Sequence, residues 1–113
     1  MINSQDLKIG DIITINFNPV LGYGQRKLRP AMVVTSNKFN RYTRLVGICV
    51  ISSKDNDFPM NVPLPDGLKV HGNVFPYQLR VVDANYRGFD YIDHAPEITV
   101  KKIKAILKTA FKF

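Results

Sequence analysis

The sequence predicts a single α+β domain spanning residues 1–113, mainly β: a curled, mostly antiparallel sheet closed or covered by a C-terminal helix. Three observations lead there. Short runs rich in β-branched and aromatic residues recur from Asp11 to Val82, separated by Gly, Pro and polar turns. Beyond Pro96 the apolar spacing changes from the strand period to the helical one. A chain of 113 residues has room for one core.

Residues 11–17, DIITINF, read as a first strand after a turn at Gly10. Residues 18–28 hold Pro19, Gly22, Gly24 and the basic pair Arg26-Lys27, and read as a solvent-facing loop. Residues 31–35, 45–51 and 60–64 follow as strands, joined by polar connections at 36–43 and 53–58. Pro63 and Pro65 put the end of the third of these at a sheet edge, because proline cannot donate to a ladder. Residues 65–71 form another loop, and 73–75 and 78–82 read as two short strands around Pro76. From Val100 the apolar residues Ile103, Ile106, Leu107, Ala110 and Phe111 keep helical spacing, with Lys101, Lys104, Lys108 and Lys112 on another side. Pro96 and Glu97 suit the first turn of that helix. The lysine stripe reads as a solvated face, since no aromatic residue interleaves with it.

Composition narrows the function classes. A hydrophobic content of 45% is that of a globular chain. No apolar run is long enough to span a bilayer, and the opening MINSQDLKIGD has no basic-then-apolar leader, so a cytoplasmic protein without membrane association is expected. The one cysteine, Cys49, lies in LVGICVI and reads as a buried structural thiol. Sixteen Lys and Arg against nine Asp and Glu give a net charge of +7, which suits a polyanion, an acidic protein or an anionic membrane surface. Neither His71 nor His94 has a His or Cys at metal-ligand spacing, and no G-x-S-x-G turn is present. No metal or cofactor is expected, and each histidine reads as a loop or surface residue rather than a general base.

The stretch Gly22-Tyr23-Gly24-Gln25-Arg26-Lys27-Leu28-Arg29-Pro30 runs straight into AMVVT. Pro30 biases Arg29 toward an extended conformation and so sets its guanidinium at the sheet rim, below a basic loop. Guanidinium can grip a phosphate through two parallel hydrogen bonds. Taken alone, a structural ion pair fits Arg29 equally well. Other segments add to this one. G-D-I-x-x-x-x-F-x-P occupies Gly10 to Pro19, and G-x-x-Q-x-x-x-R-P occupies Gly22 to Pro30. Phe39-Asn40-Arg41 with Thr43, Ile51-Ser52-Ser53-Lys54, and Phe58-Pro59 with Val62 follow in order. Gln78-x-Arg80-x-x-Asp83 and Arg87-Gly88 complete the series. In this order and spacing the chain resembles the MazF/PemK (Kid-like) toxin family along nearly its whole length.

The resemblance implies a small SH3-like barrel of the CcdB–MazF type and a metal-independent, sequence-selective endoribonuclease that cuts single-stranded mRNA and arrests translation. It also implies an acidic cognate antitoxin and a homodimer. Carried over by position are Arg29 and, where the family has threonine, Ser52 as catalytic residues. Gln25, Arg26, Lys27, Lys54, Gln78 and Arg80 are candidates for holding RNA, with structural hydrogen bonding in the sheet as the competing role for the last ones. The chain also departs from the pattern. Gly24 stands where many relatives have an acidic residue, and Tyr23, Phe75 and Tyr77 stand where some members have histidine, arginine and aspartate. The proton-transferring groups are therefore open, and Tyr23 and Tyr77 could instead stack on bases. Two other classes remain: a gyrase-binding toxin on the same barrel, which the G-x-x-Q-x-x-x-R-P segment and Ser52 argue against, and a non-catalytic RNA- or peptide-binding barrel.

Overall fold

The computed structural model describes residues 3–17, 28–53 and 60–111. After a 3-10 turn at Ser4–Asp6 come β1 (Asp11–Asn16), β2 (Leu28–Val33), α1 (Asn37–Thr43), β3 (Val46–Ser52) and β4 (Val62–Pro63). β5 (Asn73–Val82), α2 (Ala84–Arg87), β6 (Phe89–His94) and α3 (Glu97–Phe111) complete the order. The six strands form one sheet in the order β4-β5-β3-β2-β1-β6, with every pairing antiparallel. This is the curled antiparallel half-barrel with a C-terminal helix that the sequence predicts.

Strand alternation explains how one sheet carries two cores. Ile13 and Ile15 of β1, Ala31 and Val33 of β2, and Val46 and Ile48 of β3 bury on one face with Leu7, Val82 and Ala84. Ile12, Met32, Cys49 and Ile51 alternate to the other face, where they meet Val62, Val74, Ala95 and Ile103. α3 belongs wholly to this second core: Val100, Ile106 and Leu107 pack there around the fully buried Ile103. Its lysine side is exposed, and Lys101 meets Glu97 at 3.6 Å, as a solvated stripe should. Burial pushes the Cys49 thiol up to about 12, and its Sγ–H donates to the Pro76 carbonyl at 3.9 Å. The thiol therefore stays protonated and structural. Among the described residues no helix is long and apolar enough to cross a membrane.

Several boundaries differ from expectation for physical reasons. β2 begins at Leu28, so Arg29 and Pro30 lie within the strand rather than before it, held by pairing with Ile15 and Thr14 of β1. The expected strand over 60–64 shrinks to two residues at the edge. The two short strands around Pro76 are one element whose ladder is interrupted. β6 and α2 were not expected at all, since FDYIDH and ANYR carry little apolar pattern. The polar connection at 36–43 holds α1, which has no apolar stripe and depends on caps and tertiary bonds. Ser36 accepts from the Phe39 N–H at 3.1 Å, and Arg44 ends the helix in the left-handed region at φ 63°.

Asn40 is the anchor of α1. It is fully buried, and its Nδ2 donates to the carbonyls of Leu7 at 2.8 Å and Thr35 at 3.3 Å. Its Oδ1 accepts from Thr35 Oγ1 at 2.6 Å, and that same hydroxyl oxygen accepts from the Gly47 N–H at 2.8 Å. Removing this amide takes one of two donors from the Leu7 carbonyl, which keeps Asn37 Nδ2 at 3.0 Å, and leaves the Thr35 O–H without its acceptor. Asn40→Ala is expected to lower stability by about 1–3 kcal/mol, measurable as a lower urea midpoint with an unchanged denaturant slope.

Candidate active site

The pairing of β2 with β3 runs through Ala31↔Val50, Met32↔Cys49 and Val33↔Ile48. Pro30 has no N–H with which to extend it, and there the ladder stops. Continuing the register by two residues sets Arg29 opposite Ser52, on the same face as Ala31 and Val50. This is the face that α3 does not cover. A groove of about 670 Å³ opens at that point, lined by both residues together with Ser53, His71, Tyr77 and Gln78 over an apolar floor.

The wall formed by β5 exists because its ladder is broken. Between Cys49↔Leu79 and Ile51↔Val74, β3 advances two residues while β5 advances five. Such bulges bend a strand and re-aim its side chains. Pro76 is buried at the centre of the excursion, where its missing N–H is no loss to a ladder already interrupted. Phe75 is buried and Tyr77 half-exposed, and their rings stack at 5.6 Å with 16° between planes. Gln78, exposed beside them, also reaches the groove.

The structure thus brings Arg29, Ser52 and Gln78 of the sequence candidates together. Arg80 is not among the described residues lining the groove; its guanidinium sits 5.4 Å from the Phe17 ring centroid instead. Gln25, Arg26, Lys27 and Lys54 lie outside the described residues, as does Tyr23. His71 and Ser53 line the groove without having been singled out for it. Only a bulge-shifted register joins His71 to Ser52, so periodicity offered no signal. Among the described residues, no three His, Cys, Asp or Glu side chains gather as metal ligands.

Most of the other motif residues do structural work. Asp11 is buried, accepts from the Lys8 N–H at 2.9 Å and bonds His94 Nδ1 at 2.7 Å. His94, expected as an unpartnered surface or loop residue, ends β6 and is held by that buried carboxylate. A Cβ at Gly10 would stand 2.9 Å from both the His94 ring and Val100, which accounts for glycine beside Asp11. Arg87 donates to the carbonyls of Asn16 and Phe17 at 3.3 and 3.1 Å, and Asp83 caps α2 by accepting from the Tyr86 N–H.

Residues 8–111 match the family described as PemK-like, MazF-like toxins of type II toxin-antitoxin systems. The chain belongs to this family. The chain is 28% identical over 109 residues to Endoribonuclease PemK of Escherichia coli, an alignment covering 92% of this chain and 81% of that protein. Its fold is similar to the crystal structure of MazF (Form-I) from Deinococcus radiodurans, with a TM-score of 0.82, 27% identity and coverage of 95% and 97% of the two chains. The crystal structure of MazE-MazF (Form-II) from the same organism matches at a TM-score of 0.86 and 27% identity, covering 96% and 97%.

Gly72 controls how closely the loop before β5 approaches Ser52. Its φ is +131°, and an added Cβ would fall 2.4 Å from the Ser52 carbonyl oxygen. Gly72→Ala is expected to cost about 1 kcal/mol or more and to push Ser52 out of register. Thermal denaturation and backbone chemical shifts along β3 would show both.

Proposed function

We propose that this toxin is a metal-independent endoribonuclease acting on single-stranded RNA, with Arg29 and Ser52 as its catalytic pair. The carrying observation is their meeting on adjacent strands, on one face, at the point where Pro30 ends the ladder. In such cleavage the substrate's own 2′-hydroxyl attacks the adjacent phosphorus and the 5′-oxygen departs. The protein has to orient the strand in line and stabilise charge building on the phosphorane. The Arg29 guanidinium supplies positive charge and paired donors; the Ser52 hydroxyl supplies a further donor to a non-bridging oxygen. Tyr77 offers a ring for an unpaired base, and Gln78 an amide for base or backbone. The products are a 2′,3′-cyclic phosphate and a 5′-hydroxyl. Cleavage of mRNA would arrest translation, which places the activity in the cytoplasm. The net charge of +7 fits both RNA and an acidic antitoxin that silences the groove.

One observation favours a second reading. The described lining residues include no carboxylate, as a groove that binds RNA without cutting it would also show. Cleavage decides between them. With a short single-stranded RNA in chelator, the wild type should yield cyclic phosphate ends, and RNA carrying 2′-deoxyribose at the cut position should bind but survive. Ser52→Ala should slow cleavage about 10²-fold or more, Ser52→Thr should keep it, and Arg29→Ala should be nearly inactive while folded. Binding without cleavage by the wild type would establish the second reading, and full activity in the Arg29 variant would remove the site.

The toxin is further proposed to act as a homodimer, on the strength of its family resemblance and of exposed apolar groups such as Tyr42, Val81 and Ile98. Light scattering at micromolar concentration should return twice the chain mass; a monomer's mass would refute it.

A further inference from the structure

We propose that His71 is the general base of this cleavage, accepting the 2′-hydroxyl proton as the O2′–P bond forms. The inference rests on the endoribonuclease reading and supplies a proton acceptor that the other described lining residues do not. Its described polar groups are rich in donors: the Arg29 guanidinium, the hydroxyls of Ser52, Ser53 and Tyr77, and the Gln78 amide. Guanidinium and phenol groups hold their protons near neutral pH, and hydroxyls and amides are poor proton acceptors there. Imidazole is the side chain that takes and returns a proton in that range. His71 is the one imidazole among the described residues that line the groove.

Its position is built rather than incidental. Gly72 lies so close to the Ser52 carbonyl that no other residue fits without displacement, and Asn73 pairs directly with Ser52. The Leu64 N–H donates to the Gly72 carbonyl at 2.9 Å, fixing the turn from the side of β4. On the other flank the Lys69 N–H donates to the Asp93 carboxylate of β6 at 3.0 Å. That bond and the one from the His94 N–H hold the Asp93 carboxyl below its usual range. His71 therefore sits on a short tether between two anchored points, one residue from the close approach at Ser52. Its own side chain is exposed, so it has room to meet substrate.

The step balances without any further reactant than water. Neutral imidazole takes the 2′-hydroxyl proton, O2′ bonds to phosphorus, and the P–O5′ bond breaks. The departing 5′-oxygen draws a proton from water, and the imidazolium returns its proton to solvent. Charged and titratable neighbours in the groove are Arg29 from β2 and Tyr77 from β5, among the described residues; Ser52 at the end of β3 and Ser53 after it contribute hydroxyls.

Single-turnover cleavage of a defined RNA in chelator tests this with the full chain, wild type against His71→Ala and His71→Asn. Both variants should cleave about 10²–10⁴-fold more slowly yet bind the 2′-deoxy RNA within a few-fold of wild type. The limb of the wild-type profile that rises with pH should vanish in both. Added imidazole should restore part of the rate to His71→Ala. Variants that cleave at the wild-type rate would overturn the assignment, as would slowed variants that keep the wild-type pH limb. Those results leave the endoribonuclease reading intact; a wild type that cuts no RNA removes that reading and the general base with it.

Discussion

Two strands in antiparallel register, β2 and β3, set Arg29 and Ser52 opposite one another. Side chains alternate faces along a strand, so a slip of one residue would turn Arg29 and Ser52 to opposite sides of the sheet. The slip is opposed by both cores at once. Ala31, Val33, Val46 and Ile48 are committed to one face, and Met32, Cys49 and Ile51 to the other. A sheet buried on one side only could shift its pattern at the cost of one core; here both would be lost. Pro30 then does what no other residue could do at that point. It keeps its pairing with Thr14 on the β1 side while denying β3 a donor, so the strands stop being laddered where the groove begins.

The opposite wall follows a related logic. Pro76 lies in the middle of a long strand, where an uninterrupted ladder would reject it. The excursion of β5 accommodates it, and the Cys49 thiol gives its carbonyl a partner. The same excursion lifts Tyr77 and Gln78 to the groove while keeping Phe75 buried beneath as a stacking partner. The two prolines thus frame the site from the strands on either side of β3. Pro30 ends a ladder through its missing N–H, and Pro76 sits where the ladder is already broken, so its missing N–H costs nothing.

Several residues that carry the family resemblance have internal partners rather than a place in the groove. Asp11, Asn40, Asp83 and Arg87 stand out in the sequence as polar or charged motif positions, the kind usually suspected of function. Each is instead satisfied by a specific internal partner: His94, Leu7 and Thr35, the α2 N-terminus, and the carbonyls of Asn16 and Phe17. Buried polar groups with complete partners specify one arrangement of the chain, because any other arrangement leaves them desolvated and unpaired. A motif shared across the family can therefore report the fold without reporting the reaction. Of the late motif pair, Gln78 faces the groove whereas Arg80 stacks over Phe17.

By itself the sequence determined the class of fold, the terminal helix with its apolar stripe and lysine side, and the candidacy of Arg29 and Ser52. Those properties are written in local periodicity and in proline's effect on its neighbour, which act over a few residues, and in a motif order that runs from Gly10 to Gly88. Tertiary structure alone decided which candidates share a groove. Arg29 meets Ser52 through cross-strand register, and His71 reaches them through a bulge that offsets β5 against β3 by several residues. It also decided that α1 and β6 exist: neither has an apolar period of its own, and long-range bonds from Asn40 and His94 hold them. Register and long-range hydrogen bonds join residues far apart in the chain, and no window of sequence short enough to carry a period contains both partners.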